Sequence, residues 1–132
     1  ERLKKDGIVI VQSGAASISE NDVFTSICNT LNKVFPHVFP YVTYIPSYAL
    51  PWGFCMATHN PSNLDIPGEE IDARINARIT GNFRFYDSIT HHSLFNLPKY
   101  IRTDIQRQRR IIQDKDPLME HYPGISVEST TP

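Results

Sequence analysis

The sequence lacks a surplus of either charge. Across 132 residues, 13 Lys and Arg side chains are balanced by 14 Asp and Glu side chains, which gives a net charge of −1 at pH 7. Such a chain has no overall field that would attract nucleic acid or an anionic membrane. The sequence also lacks an apolar run of the roughly 18 residues that a membrane span needs, and it shows no signal peptide. We therefore expect no nucleic-acid partner, no membrane and a cytoplasmic location.

The sequence also has few cysteines and no standard spacing of metal ligands. The two cysteines, Cys28 and Cys55, lie in apolar runs, and neither a CxxC pair nor a Cys/His cluster with zinc spacing accompanies them. We predict that both are reduced, buried and hydrophobic in character. His59, His91 and His92 match no standard metal site, so we expect no metal, and we predict that His91 is packed and hydrogen-bonded.

The first half of the chain has an alternating strand and helix pattern. Residues 7–14 form a run of β-branched residues that is typical of a strand covered on both faces. Residues 17–35 have helical spacing after a capping box of Ser19 and Asp22. Two further strands are predicted at 37–45 and 52–59, and their short connection favours antiparallel pairing.

The second half is predicted to be mainly helical. Residues 69–79 carry isoleucines at helical spacing, which predicts a short amphipathic helix. A short extended piece is predicted over 82–87, and a helical turn or two over 88–97. A final helix is predicted over 98–112, starting at Pro98, with Ile101 and Ile105 on one face. Its four arginines accompany an acid, which indicates a solvated helix face more than a nucleic-acid patch.

This order predicts an α/β fold, the C-terminal half of a Rossmann-like sheet of the class I methyltransferase type that ends in an antiparallel strand pair. The Gly-rich turn that follows the first strand of such a sheet is absent. The opening "ERLKKDG" has no initiator Met and resembles a helix C-terminus ended by Gly7. We therefore expect a fragment whose N-terminal portion is missing.

Three residues are candidates for ligand binding. Gln12 ends the first predicted strand, where ligands bind in open α/β sheets; alternatively it bonds a neighbouring loop. Tyr48 and Trp52 flank a proline-rich bend, "IPSYALPWG", and their ring faces could attract a cation. The alternative for this pair is an aromatic plug that closes the end of the core.

Longer segments resemble a known family. The segments are "LKKDGIVIVQSG", "LNKVFPHVFPYVTYIPSYALPWGFCMAT" and "FRFYDSITHHSLFNLPKYIR". They resemble the C-terminal part of the spermidine/spermine synthases, which are aminopropyltransferases. "DVFTSICNTLNKVF", the Trp-Gly of "PWGFCMA" and "EEIDARINARI" are most similar to the plant-type thermospermine synthases. Tyr48 is instead typical of spermidine synthases, so the resemblance leaves the amine acceptor open.

The resemblance implies a role in polyamine biosynthesis. The family moves an aminopropyl group from decarboxylated S-adenosylmethionine, a co-substrate, onto putrescine or spermidine, with no other cofactor. By resemblance, Gln12 and Tyr48 contact the amine; that Trp52 shapes the same pocket is our own inference. Residues 1–114 would then be the C-terminal part of the catalytic domain, and residues 115–132 would be an irregular tail. We also expect the enzyme to be a homo-oligomer.

The family's catalytic aspartate and its Gly-rich adenosyl-binding segment have no counterpart in this sequence. We therefore expect no catalytic residue here and no activity from this fragment alone. Two alternatives remain: a catalytically inactive homologue that acts as a regulatory or interaction subunit, and a methyltransferase that uses S-adenosylmethionine. The bend that carries Tyr48 is less expected in a methyltransferase.

Overall fold

The structure, a computed structural model, describes residues 3–118, which contain three strands and four α-helices. The elements are β1 (Ile8–Ala15), α1 (Asp22–Val34), β2 (His37–Ile45), β3 (Leu50–Thr58), α2 (Gly68–Arg78), α3 (Ser88–Phe95) and α4 (Lys99–Arg107). Two 3₁₀ turns lie at Pro46–Tyr48 and Pro61–Asn63. In the described range, no helix has the length and apolar character needed to cross a bilayer.

The sheet has the strand order β1–β3–β2, and both neighbouring pairs are antiparallel. β3 is the last strand in sequence but the central one in space. β1 and β2 run in the same direction on either side of it, and α1 makes the crossover between them. The predicted antiparallel pairing of the second and third strands is confirmed.

One face of the sheet packs against α1. Phe24 and Cys28 of α1 and Cys55 of β3 are fully buried in the same apolar cluster. Gly53 lets the helix approach closely, since a Cβ at this position would stand 2.5 Å from a ring carbon of Phe24. The Gly of the Trp-Gly pair is therefore required by packing.

Helix α4 packs on the same side as α1. Ile101 is fully buried and Ile105 packs against the core, so the predicted shared face of these two isoleucines is confirmed. The hydroxyl of Tyr100 donates a hydrogen bond to the carbonyl of Ala16 at 2.8 Å. This bond ties α4 to the end of β1.

On the opposite face of the sheet, α3 packs against β2. The rings of Tyr41 and Phe54 stack at 5.1 Å between centroids, and Phe95 of α3 lies 5.3 Å from Tyr41. The carboxylate of Asp72 in α2 accepts hydrogen bonds from the backbone N–H of Ser88 (3.0 Å) and from its hydroxyl (2.6 Å). α2 thereby holds the N-terminus of α3.

The prediction that the first strand is covered on both faces is wrong for the described residues. Ile8 is 39% exposed and Ile10 is 54% exposed. β1 lies at the edge of the sheet, and α3 packs against β2 rather than β1. The apolar side chains of β1 that face away from α1 are therefore left open.

The predicted capping box at the start of α1 is also wrong. The helix begins at Asp22 with Asn21 as its N-cap, and no side chain caps it. The hydroxyl of Ser19 lies 3.4 Å from that of Ser17 instead. The preceding residues form a turn that is closed by the N–H of Ser17 donating to the carbonyl of Glu20 at 3.1 Å.

The last helix is shorter than predicted, since it ends at Arg107. The chain then runs along α1 without regular secondary structure, and side chains of α1 bond to its backbone. The amide of Asn29 donates to the carbonyl of Arg110 at 2.9 Å, and the hydroxyl of Thr30 accepts from the N–H of Ile112 at 3.0 Å. These bonds replace the helical ones that a longer α4 would have made.

Three smaller predictions differ in the structure. Residues 82–87 follow an irregular path rather than an extended one. Gly7 closes a turn by donating to the carbonyl of Lys4 at 2.9 Å, so the described part of the N-terminal segment is a turn and not a helix end. Pro98 is the N-cap of α4, one residue before its start. Of the predicted tail 115–132, residues 119–132 lie outside the described range.

Candidate functional site

Gln12, Tyr48 and Trp52 lie together at one edge of the sheet. β1 and β2 end at this edge and β3 begins there, because β3 runs antiparallel to both. Gln12 stands opposite Phe54, and β1 then bulges so that Ala15 pairs with Trp52. Opposed residues of antiparallel strands share a face, so Gln12 and Trp52 both lie on the face away from α1.

The bend between β2 and β3 presents Tyr48 to solvent. Pro46 takes the first position of the 3₁₀ turn, where its fixed φ is suited and no N–H is needed. The turn closes when the N–H of Ala49 donates to the carbonyl of Pro46 at 3.2 Å. Ala49 adopts a left-handed conformation, φ 55° and ψ 19°, which reverses the chain. Tyr48 is 46% exposed as a result.

Tyr48 contacts both of the other candidates. The amide Nε2 of Gln12 donates a hydrogen bond to the Tyr48 hydroxyl at 3.5 Å. The rings of Tyr48 and Trp52 are 4.3 Å apart between centroids and tilted by 41°. Since Gln12 turns a donor toward Tyr48, the amide oxygen of this exposed side chain can accept from a ligand.

Trp52 forms the floor beneath Tyr48. Its side chain is half-buried, and its indole N–H is buried with no hydrogen-bond partner among residues 3–118. A buried indole N–H usually donates a hydrogen bond to some partner. Trp52 therefore supplies an apolar surface and one unused donor, whereas the exposed Tyr48 supplies a ring face and a hydroxyl.

The chemistry of this edge suits a cation held without an ion pair. Amide and phenol oxygens accept hydrogen bonds from an ammonium group. Aromatic faces attract a cation within about 6 Å by ~0.5–2 kcal/mol, and by more when water is excluded. The three side chains are all uncharged, so they select by hydrogen bonding and shape.

A second polar contact lies beside α3. The hydroxyl of Tyr86 is 2.7 Å from Nδ1 of His91, whose ring lies 5.1 Å from Phe95. The prediction of a packed, hydrogen-bonded His91 is confirmed. Burial lowers the pKa of His91, the nearby His92 lowers it further, and burial raises the pKa of Tyr86. Both groups are therefore held in their neutral forms near pH 7.

The histidines are spread over separate contacts. His59 packs on Phe35 at 5.3 Å between ring centroids, while His91 and His92 are neighbours at 5.4 Å. Within residues 3–118, no group of three His, Cys, Asp or Glu side chains is placed to hold a metal ion.

An apolar groove of about 270 Å³, which was not predicted from the sequence, lies between α2 and the segment that follows it. Its walls include Ile71, Ile75, Ile79 and Phe83. The helical spacing of the isoleucines correctly predicted a shared face. The groove itself depends on the irregular path of 82–87, which no pattern in the sequence indicated.

Comparison with protein-family models gives a match to the spermine/spermidine synthase domain over residues 1–66, half of the chain. The matched segment contains β1, α1, β2 and β3, and with them all three candidate residues. The chain belongs to this family. The resemblance seen in the sequence is thereby confirmed.

Curated relatives agree with the family. The chain is 39% identical over 115 residues to the polyamine aminopropyltransferase of Sulfolobus acidocaldarius, covering 86% of this chain and 37% of the relative. It is 30% identical over 126 residues to thermospermine synthase ACAULIS5 of Arabidopsis thaliana, covering 95% and 37%. The expected similarity to thermospermine synthases is therefore found, together with similarity to the Sulfolobus acidocaldarius enzyme. The chain spans a little over a third of the length of these relatives.

Solved structures support the predicted fold class. The spermidine synthase of Thermotoga maritima superposes with a TM-score of 0.65 at 18% identity, over 80% of this chain and 36% of that one. A spermidine synthase in complex with the transition-state analogue AdoDATO gives a TM-score of 0.64 at 19% identity, over 80% and 35%. The α/β fold with its terminal antiparallel pair is that of the spermidine synthases.

Proposed function

We propose that this chain forms the amine-acceptor side of an aminopropyltransferase of polyamine biosynthesis. The donor is decarboxylated S-adenosylmethionine and the acceptor is spermidine, as in thermospermine synthases, or putrescine, as in spermidine synthases. The observation that carries the proposal is the cluster of Gln12, Tyr48 and Trp52 at one sheet edge. Family membership and the names of the curated relatives support it.

The reaction explains why such a cluster is useful. A primary amine of the acceptor attacks the carbon next to the sulfonium of the donor, the carbon–sulfur bond breaks, and methylthioadenosine leaves as a neutral thioether. The amine is an ammonium at neutral pH, so it must first lose a proton to a base. Both substrates are cationic, and the site's main task is to hold them in line for the transfer.

The three residues have separate roles in this scheme. The amide oxygen of Gln12 and the hydroxyl of Tyr48 accept hydrogen bonds from the ammonium groups of the acceptor. The rings of Tyr48 and Trp52 form an apolar wall along its methylene chain. Trp52 sets the depth of this wall, because its half-buried side chain lies beneath Tyr48.

The base and the adenosyl-binding segment are proposed to lie outside these 132 residues. The sequence contains no Gly-rich nucleoside turn and no aspartate pair of the family type. We propose an N-terminal portion of the same enzyme as their source, and we expect the 132 residues alone to be inactive. We also propose a cytoplasmic homo-oligomer; the exposed Ile8 and Ile10 support further burial of the β1 face.

The test is a product assay on the full-length protein. The protein is incubated with decarboxylated S-adenosylmethionine and either putrescine or spermidine, and methylthioadenosine is measured. We expect product with one amine at a clearly higher kcat/KM than with the other. Transfer from intact S-adenosylmethionine instead would indicate a methyltransferase. Polyamine binding by calorimetry with no product from either amine would indicate the inactive homologue.

A further inference from the structure

A pair of thiols in the core has no role in the proposed function. The Sγ atoms of Cys28 in α1 and Cys55 in β3 lie 2.7 Å apart. Both residues are fully buried and both are free cysteines. The predicted burial of both cysteines is confirmed, but no pattern in the sequence indicates that they meet, because they are 27 positions apart in different elements.

We propose that Cys28 and Cys55 are an oxidation site, at which hydrogen peroxide converts the two thiols to a disulfide that joins α1 to the central strand. A disulfide has a sulfur–sulfur length of about 2.05 Å, so the observed separation requires only a small movement of the two side chains. The dithiol is the resting form in a reducing compartment.

The step balances with peroxide as the oxidant. One sulfur attacks a peroxide oxygen, the oxygen–oxygen bond breaks, and a sulfenic acid and one water result. The second sulfur displaces the hydroxyl of the sulfenic acid, the sulfur–sulfur bond forms, and the displaced hydroxyl leaves as water with the thiol proton. Peroxide gains the two electrons that the thiols lose.

Burial determines which oxidants can react. Neither sulfur is exposed. The hydrogen bond with Cys55 and burial raise the pKa of Cys28, whereas the same hydrogen bond lowers the pKa of Cys55, so Cys55 is the more readily ionised of the two. We expect slow oxidation by a small peroxide and none by bulky aromatic disulfides while the protein is folded. This selectivity distinguishes a core pair from surface cysteines.

The location gives the crosslink a mechanical consequence. Cys55 pairs with Val11 of β1 on one side and with Pro40 of β2 on the other, so it lies in the middle of the sheet. A bond from this point to α1 would close a loop across the core. We expect the oxidised protein to melt about 10 °C higher than the reduced protein.

The experiment treats the purified protein with hydrogen peroxide, then quenches it in denaturant with an alkylating reagent. We expect the count of titratable thiols at these positions to fall from two to none. Mass spectrometry of the digest should show one peptide pair joined through Cys28 and Cys55, lighter by two hydrogens and restored by dithiothreitol. The readout does not depend on enzymatic activity, so its result is independent of whether the proposed function is correct.

Cys28→Ala and Cys55→Ala are the matched controls, and each should lose both the crosslink and the rise in melting temperature. If either variant fails to fold, the crosslinked peptide of the wild-type protein decides alone. Three results would each overturn the proposal. The first is that both thiols stay intact under conditions that oxidise a surface-thiol standard. The others are sulfinic or sulfonic acids without a crosslink, and disulfides between molecules.

Discussion

The ring of Phe24 occupies the space in which a Cβ of residue 53 would stand. The ideal Cβ position lies 2.5 Å from Cδ2 of that ring, and Phe24 is fully buried. The approach of α1 to β3 therefore depends on a glycine in the strand, two residues from Cys55. The same contact holds the helix against the sheet next to the candidate site.

Gly53→Ala should destabilise the protein by about 1–3 kcal/mol, because the added methyl group must displace a buried ring. Urea unfolding followed by circular dichroism measures the change. The double variant Gly53→Ala/Phe24→Leu serves as the control, and it should be less destabilised than the sum of the two single variants. Simple additivity of the two effects would contradict the contact.

Tyr48→Ala should raise the KM for the amine acceptor about tenfold while the stability stays close to that of the wild type, because Tyr48 is exposed and offers both its ring and its hydroxyl. Tyr48→Phe keeps the ring and should raise KM less. Initial rates of methylthioadenosine release in the full-length protein give both values.

Tyr44→Ala is the matched control for Tyr48. Tyr44 is 60% exposed on β2 and stands opposite Pro51, on the other face of the hairpin from Trp52. Its replacement should leave KM unchanged. Equal effects at the two tyrosines would remove Tyr48 from the acceptor site.

Two hydroxyl groups of α1 should respond in opposite ways to removal. The Oγ of Ser26 is buried and has no hydrogen-bond partner among residues 3–118, so Ser26→Ala should stabilise the protein by about 1 kcal/mol. Thr30 donates to the carbonyl of Ser26 and accepts from the N–H of Ile112. Thr30→Val should therefore destabilise by about 1–3 kcal/mol. Chemical denaturation of both variants tests the pair, and a loss of stability in Ser26→Ala would be the contrary result.

Acid should destabilise the protein through His91. Burial and the neighbouring His92 lower the pKa of His91 below its unfolded value of about 6.5. In the window between the two pKa values the unfolded chain binds more protons, so stability rises with pH there and falls as the solution is acidified. The free energy of unfolding should decrease as the pH falls from 7 through 6.

His91→Gln should make the stability less dependent on pH over this window than it is in the wild type. Urea titrations at several pH values give these profiles. An unchanged pH slope in His91→Gln would show that another group is responsible.

The sequence predicts the elements well where proline marks their ends. Pro36 and Pro46 flank β2, and its bounds, His37–Ile45, match the prediction. The bend after it is short, which leaves the antiparallel pair as the natural outcome. The meeting of Gln12 and Tyr48 could also be expected, because Gln12 lies near the end of β1 and Tyr48 lies just after the end of β2.

Other features depend on contacts that the sequence does not display. One such feature is the early end of α4, after which tertiary hydrogen bonds hold the chain against α1. The sulfur atoms of Cys28 and Cys55 meet only when α1 packs on β3. The exposure of Ile10 reflects the edge position of β1, whereas its apolar pattern is that of an interior strand.

The central position of β3 has a consequence for the order in which the chain folds. Ile45 and Leu50, which pair across the hairpin, are close in sequence, whereas Gln12 and Phe54 are separated by the whole of α1 and β2. Closing the longer loop costs more chain entropy, and distant contacts slow folding. We expect the hairpin to form early and the docking of β1 to be the rate-limiting event, so the end of the sheet that carries Gln12 would be the last part to form.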